Sequence, residues 1–443
     1  MRGKMWKATK LILLGLLGLV VALVGSGLIC RAWYQHQAAK LLTITSPNGI
    51  DEAMFLPIAG TLQWVTIRGQ DRNNPVILMV HGGPGVTHSG FAVSFVPWEK
   101  EFTIVQWDQP GAGRTFAQER RFPSDLTIES MARDGVSVAE FLRTHLQMDR
   151  IIVLGWSWGS ILGVHMVQSR PDLFAAYVGT GQLVNMQAGE AIVYSRVLAS
   201  ARAMGNLRAI RELESVGPPP YKTQTALGTQ RKWASILAGD KTPIVKIAEF
   251  TFLAPRTSLL DAWKSFAGIV ASQNHFLGLT MEGEMTKVDL SASDENFAIP
   301  IFVFQGANDD VAPVELAQEY VGSITAPLKQ IVLLAGAGHD AIIAKGGDFL
   351  DLLVQRVRPL AIQPEPTTRT TQPGSHALLS RFPSTGHQSR FRAGAPPRVI
   401  APTALRAEHE ACRGALGLLN AGETNDAGAA WQQSLDGTTR LVD

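Results

Sequence analysis

The amino-acid sequence predicts an α/β architecture: a mainly parallel β-sheet flanked by helices, with a helical insertion late in the chain. Three observations lead there. Short, continuous apolar runs recur along the chain, as strands covered on both faces require. Stretches with apolar residues at helical spacing alternate with those runs, the pattern of strand–helix–strand units. A glycine-flanked serine, Ser157, stands directly between one such run and a helical stretch.

The chain opens with Arg2, Lys4, Lys7 and Lys10, followed by an apolar run over residues 11–30. About 20 apolar residues in a helix suffice to cross a hydrocarbon core, so residues 1–31 are read as a membrane anchor. Basic residues ahead of the span favour an N-inside orientation, which places the rest of the chain outside the cytoplasm. The alternative is a cleaved signal segment and a secreted product, with Gly25, Ser26 and Gly27 as the small residues near a cleavage site. The large Ile29 before Cys30 speaks against a lipoprotein. Residues 32–47 read as a polar, weakly helical connector.

Residues 48–181 are expected to build the first part of the sheet, with strands at 75–80, 102–107 and 151–154 and a helix over 127–146. Residues 182–296 hold few strand-like runs, are rich in Ala, Leu, Glu and Arg, and break at Pro218-Pro219-Pro220. They are read as a helical cap over the end of the sheet. Residues 297–362 return to the sheet, with strands at 301–304 and 331–334. Residues 363–443 carry eight arginines and no lysine among many Pro, Gly, Thr and Ser, and are expected to be disordered.

Lys and Arg total 40 against 38 acidic residues, a balance that gives no reason to invoke nucleic acid. The two cysteines, Cys30 and Cys412, flank the sheet region, so the domain between them has neither an internal disulfide nor a cysteine-based metal site.

Gly155-Trp156-Ser157-Trp158-Gly159 fits G-x-S-x-G, directly after an apolar strand and before a helix. A nucleophile on such a strained strand-to-helix turn has its hydroxyl exposed above the sheet, and the helix N-terminus favours nearby negative charge. His81-Gly82-Gly83-Pro84-Gly85 follows the strand ending at Val80. A glycine-rich turn there can aim N–H groups at an oxyanion, the expected pair being those of Gly83 and Trp158. A phosphate loop is excluded, because no Gly-Lys-Ser/Thr follows. Beyond the strand at 301–304 lie Asp309 and Asp310; beyond the strand at 331–334 lies His339. Loops at the same ends of parallel strands can bring Ser157, one of the two carboxylates and His339 together. His81 is expected to shape its loop and His165 to pack behind the nucleophile. His36, His376, His387 and His409 lie in the connector or tail.

His81-Gly82-Gly83-Pro84-Gly85, Asp108-Gln109-Pro110-Gly111-Ala112-Gly113-Arg114-Thr115 and Gly155-Trp156-Ser157-Trp158-Gly159-Ser160 together resemble the proline iminopeptidase family of α/β hydrolases. Gly306-Ala307-Asn308-Asp309 with Pro313, and Gly338-His339, match that family's acid and histidine loops. The resemblance covers residues 50–362. It implies an α/β-hydrolase fold with a helical cap, and Asp309, rather than Asp310, and His339 as partners of Ser157. The chain departs from the family at Pro110, Ala112 and Thr115, and it reads Val178-Gly179-Thr180-Gly181-Gln182 where the family has an Arg-Gly-Ile-Phe-like segment. Around Trp233 there is no Trp-x-x-Trp-Glu, the segment whose glutamate helps bind a free amine in the enzymes that cleave N-terminal proline. Glu212, Glu214 and Glu249 are the other cap acids, read as solvated helix charges.

The expected reaction is hydrolysis of an acyl bond through an acyl-enzyme on Ser157, with no metal or organic cofactor implied. The expected substrate is a small molecule or short peptide: an aminopeptidase substrate by the resemblance, or an uncharged ester, amide or lactone in an apolar cap pocket. No substrate-binding residue is assigned from sequence. An epoxide hydrolase of this fold has Asp at the nucleophile position, which Ser157 disfavours. A silent binding module has no need of all three of Ser157, Asp309 and His339.

Overall fold

The computed structural model describes residues 2–119, 122–239, 241, 243–292 and 296–362. The tail expected to be disordered, residues 363–443 with Cys412, lies outside them. The first helix, α1 (Arg2–Leu41), is continuous through the apolar run and on to Leu41. The weakly helical connector is thus firmly helical to Leu41. The reason is local: Arg31 to Leu41 contains no glycine or proline and is rich in Ala, Gln, Lys and Arg, all good helix formers. The helix is long and apolar enough to cross a membrane.

A compact unit begins at Gln37. Its centre is an eight-stranded sheet of order β1-β2-β4-β3-β5-β6-β7-β8. The strands are β1 (Ile50–Ile58), β2 (Thr61–Gly69), β3 (Val76–Val80), β4 (Thr103–Trp107), β5 (Ile151–Trp156), β6 (Phe174–Thr180), β7 (Ile301–Gly306) and β8 (Lys329–Leu334). β1 and β2 form an antiparallel hairpin that pairs antiparallel with β4, and every other pairing is parallel. Side chains alternate between the sheet's two faces, so Val76, Leu78 and Val80 join one apolar core and Ile77 and Met79 the other.

Helix α2 (Gly113–Glu119) follows β4, α3 (Ile128–Leu146) precedes β5, and α4 (Trp158–Ser169) follows it. Thr127 caps α3 in a capping box with Ser130, which explains why that helix starts where the sequence places it. Between β6 and β7 come α5 (Met186–Ala203), α6 (Leu207–Val216), α7 (Gln224–Leu237), α8 (Pro243–Phe252) and α9 (Leu259–Leu277). Asn185, Asn206, Thr223 and Ser258 cap α5, α6, α7 and α9 with their side chains. After β7, α10 (Val314–Ser323) leads to β8, and the helical turns Ala341–Ala344 and Gly346–Leu352 follow.

The five strands expected from sequence are present as β3, β4, β5, β7 and β8, while β1, β2 and β6 were not singled out. β1 and β2 alternate apolar with polar residues, and β1 carries Pro57. β6 is built largely of small residues, Ala175, Ala176 and Gly179.

An ion cluster, buried at Arg68 and Glu99, ties the hairpin to its surroundings. Arg68 on β2 donates to Glu99 Oε1 at 2.8 Å, to Asp51 Oδ1 at 2.5 Å and to the Leu42 carbonyl at 2.6 Å. Arg256, between α8 and α9, also reaches Asp51 at 3.1 Å and the same Leu42 carbonyl at 3.4 Å. Burial raises the Glu99 carboxyl's pKa despite Arg68 beside it. Arg68→Met leaves Glu99 as an uncompensated buried charge and is expected to cost about 3–5 kcal/mol of stability. Urea unfolding of the variant in detergent checks it; an unchanged midpoint would show the cluster to be dispensable.

Candidate active site

The site is assembled at the C-terminal ends of the parallel strands. β3 pairs with β4 on one side and β5 on the other, so the chain reverses direction across the sheet there and opens a crevice. Ser157 follows β5 with φ 54° and ψ −120°, a conformation that costs a non-glycine residue of order 1–3 kcal/mol. The neighbours hold it there. Ser157 N–H donates to the Thr180 carbonyl at 2.9 Å, and the Ser157 carbonyl accepts from Ser160 N–H at 2.8 Å and Ser160 Oγ at 2.6 Å. Gly159 lies so close to β3 that a Cβ would sit 2.0 Å from the Val80 carbonyl oxygen, which is why the second glycine of the motif admits no side chain.

Asp309 and His339 meet directly. His339 Nδ1 lies 3.0 Å from Asp309 Oδ2 and 3.1 Å from Oδ1. Asp309 Oδ1 also accepts N–H groups of Val311 and Ala312, at 2.9 and 2.8 Å, so the buried carboxylate is fixed by three donors. Asp310 makes no hydrogen bond to His339 among the described residues; burial and neighbouring Asp309 raise its pKa. The imidazole rests against Gly181, where a Cβ would fall 2.7 Å from His339 Cε1. Trp156 Nε1 donates to the His339 carbonyl at 3.1 Å, joining the residue before Ser157 to the histidine loop. No hydrogen bond links Ser157 Oγ to His339 among the described residues, a contact that unliganded sites commonly close only on binding.

On the opposite side, Gly83 has φ 119° and its N–H has no acceptor among the described residues. Trp158 is the first residue of α4, so its N–H has no acceptor within the helix. The Trp158 indole donates to Gln109 Oε1 at 3.0 Å, and Gln109 Nε2 donates to the His81 carbonyl at 3.0 Å. Gln109 N–H donates to His81 Nε2 at 3.2 Å, which assigns the proton to Nδ1, and Nδ1 donates to the Gly82 carbonyl at 2.9 Å.

Residues 75–345 match the family model for the alpha/beta hydrolase fold. The chain belongs to the alpha/beta hydrolase family. It is 30% identical over 312 residues to proline iminopeptidase of Lactobacillus helveticus, spanning 67% of this chain and 95% of that protein. It is 27% identical over 310 residues to the probable aminopeptidase YbaC of Bacillus subtilis, spanning 68% of this chain and 95% of that protein. Among solved structures, proline iminopeptidase of Mycobacterium smegmatis aligns with a TM-score of 0.50 at 18% identity, covering 70% of this chain and 99% of that one, a likeness of fold. The protein is therefore a hydrolase of the proline iminopeptidase-like kind.

Two further residues tie the hydrolase's loops together without a motif of their own. Buried Gln182 and Gln305 bridge the serine turn to the acid loop. Gln182 Nε2 donates to Ser160 Oγ at 3.2 Å, Gln182 N–H to Gln305 Oε1 at 3.0 Å, and Gln305 Nε2 to the Ala312 carbonyl at 2.6 Å. Their signal in sequence is position alone: each lies at or just past the C-terminal end of a strand. His88 is also buried, stacked on Trp156, and neither of its ring nitrogens has a hydrogen-bond partner among the described residues. Burial pushes its pKa well below that of a free imidazole, so it is neutral. His165 is only half-buried and is not a full core residue. Burial of Asp108, whose Oδ2 accepts the Arg114 N–H at 2.8 Å, raises its pKa to about 7.

The acids of the inserted helices are engaged. Glu190 is buried with Arg231 and Gln230. Glu212 binds Arg208, Lys232 and the Trp233 indole, Glu214 binds Arg202, and Glu249 binds Lys241. Of the three cap acids expected as solvated helix charges, Glu214 is exposed beside Arg202, whereas Glu212 and Glu249 are partly buried in ion pairs with Lys232 and Lys241; Glu190, which the sequence does not single out, is buried with Arg231.

His81 generates a pH dependence. Burial lowers its pKa from 6.5 to about 4, so between those values the unfolded chain takes up a proton that the folded chain refuses. Its contribution to stability is complete above about pH 6.5 and is lost as pH falls toward 4, by about 3 kcal/mol in all. His81→Gln is expected to flatten the fall in unfolding free energy over that window by one proton's worth, measured by urea unfolding at several pH values. An unchanged slope would mean that His81 does not stay neutral.

Proposed function

We propose that this hydrolase is a serine enzyme in which Ser157 attacks the substrate carbonyl, His339 takes and returns the proton, and Asp309 orients the imidazole. The observation that carries the reading is the coincidence of a left-handed Ser157 at a strand-to-helix turn with a buried Asp309 in contact with His339 Nδ1. A carboxylate on Nδ1 leaves Nε2 as the atom that accepts a proton, and it stabilises the imidazolium formed when it does. The Gly83 and Trp158 N–H groups, without acceptors of their own, suit an oxyanion, and the positive end of α4 adds to that field. Water then resolves the acyl-enzyme by the same proton path.

Two substrate readings divide on one observation. The relatives named proline iminopeptidase and aminopeptidase favour release of an N-terminal residue from a short peptide, which requires an anion for the substrate's ammonium group. The pairing of Glu190, Glu212, Glu214 and Glu249 with cations favours the second reading, an esterase, amidase or lactonase on an uncharged small molecule. α1 is read in both cases as a membrane anchor, with the basic N-terminus inside and the catalytic unit outside the cytoplasm.

Ser157→Ala and His339→Ala are each expected to lower kcat by roughly 10⁴- to 10⁶-fold, and Asp309→Asn by roughly 10⁴-fold, with the fold intact by circular dichroism. The assay compares prolyl and alanyl arylamides, an N-blocked prolyl arylamide and a short-chain p-nitrophenyl ester. Cleavage of the free-amine arylamides alone establishes the aminopeptidase. Cleavage of the ester alone, lost in Ser157→Ala, establishes the second reading. Turnover surviving Ser157→Ala overturns the nucleophile.

A further inference from the structure

A pocket of about 470 Å³, open to solvent, lies between β2, the loops after β3 and β4, and the helices α8 and α9. Neither Ser157 nor His339 lines it, and Asp108 and Arg114 are the two charged residues of its wall. Asp108 is only 4% exposed, and one of its oxygens is covered: Oδ2 accepts the Arg114 N–H at 2.8 Å. The chain turns tightly round that oxygen at Gly113, where φ is 50° and a Cβ would overlap Oδ2. The other oxygen, Oδ1, accepts no hydrogen bond among the described residues. A buried carboxylate ordinarily gathers donors on both oxygens, as Asp309 does. Asp108 lacks them, and burial outweighs the pull of Arg114 on its carboxyl.

Arg114 is unpaired as well. Its guanidinium lies 4.6 Å from the centre of the Trp64 ring and donates to the Arg256 carbonyl at 2.6 Å. It forms no ion pair among the described residues, either with Asp108 or with another acid. Stacking and one carbonyl bond fix the group and leave it donors to spare.

Two opposite charges that border one pocket without meeting call for a ligand that carries both. A ligand with a cation alone would face Arg114, and one with an anion alone would face Asp108. In a free α-amino acid the ammonium and the carboxylate sit on one carbon, so both charges can be answered at once. Val86, Phe250 and Ile269 supply apolar wall for its side chain.

We propose that this pocket is a second binding site, for a small apolar α-amino acid in its zwitterionic form. The ammonium donates to Asp108 Oδ1, the carboxylate accepts from the Arg114 guanidinium, and the side chain lies on Val86, Phe250 and Ile269. The site stands under either substrate reading of the catalytic centre, because it uses none of Ser157, Asp309 and His339.

The test is isothermal titration calorimetry of the full chain in detergent, with L-alanine, ethylamine or propionate as the probe. Ethylamine and propionate each keep one of the two charges, and neither can be hydrolysed. The expected result is one L-alanine site per chain, with ethylamine and propionate each weaker by roughly 10- to 100-fold, the worth of a lost charge-assisted bond. Asp108→Asn and Arg114→Met are expected to weaken L-alanine by a similar factor. Thr251→Trp fills the pocket from α8 without touching either charge and is expected to abolish binding, which keeps the test should Asp108→Asn fail to fold. No heat with L-alanine overturns the site. L-alanine binding that survives Thr251→Trp and Arg114→Met places the ligand elsewhere and overturns it equally. Ethylamine binding as tightly as L-alanine, with Arg114→Met without effect, shows a site for a cation and overturns the zwitterion.

Discussion

One unbroken run of hydrogen bonds joins the two halves of the site, and the geometry of both depends on it. From the Ser157 carbonyl it passes to Ser160 Oγ, to the Gln182 amide, through the Gln182 N–H to Gln305, and on to the Ala312 carbonyl. Ala312 N–H then closes on Asp309, which holds His339. Every link is buried or nearly so, and in a low-dielectric interior such bonds are strong when complete and costly when broken. Tyr177 adds a brace, its hydroxyl donating to Gln182 Oε1 at 2.6 Å with the Ser160 carbonyl 3.1 Å away. Strand β6 thereby supports the turn after β5 and the loop after β7, its two neighbours in the sheet. The strain at Ser157 persists because this network over-determines it.

The opposite wall follows a similar logic with different groups. The Trp158 side chain is fastened to Gln109, and Gln109 to His81, so the loops after β3, β4 and β5 form a single hydrogen-bonded unit. Departures from the family at Pro110, Ala112 and Thr115 leave that unit intact. The contacts use the side chains of Asp108 and Gln109, which are kept, and the Thr115 hydroxyl donates to the Asp108 carbonyl at 2.6 Å.

The site was far more legible than its surroundings. Ser157 and Asp309 stand out in the sequence because they follow β5 and β7, strands buried on both faces and so continuous apolar runs, while His339 follows the edge strand β8, whose Ile331-Val332-Leu333-Leu334 is an apolar run despite its partial exposure. β1 and β2 escaped because they form an antiparallel hairpin in which apolar residues alternate with Asp51, Glu52, Gln63 and Arg68, and that alternation reads as a surface. Gln182 and Gln305 escaped because nothing about a glutamine's neighbours reveals that its amide is buried; that depends on loops more than 120 residues apart meeting. The pairing of Glu190 with Arg231 escaped for the same reason, since it joins α5 to α7 across a gap that sequence spacing does not measure.

The cluster at the hairpin contains ion pairs of unlike exposure. Arg68 and Glu99 are enclosed, whereas Arg256 is half exposed where it meets Asp51. Mobile ions weaken attraction between exposed charges and barely reach enclosed ones. Ionic strength therefore acts unequally on the two attachments. Rising salt loosens the grip of the α8–α9 loop on the start of the sheet and leaves the sheet's own edge fastened, so the catalytic unit carries a salt-adjustable joint beside a permanent one.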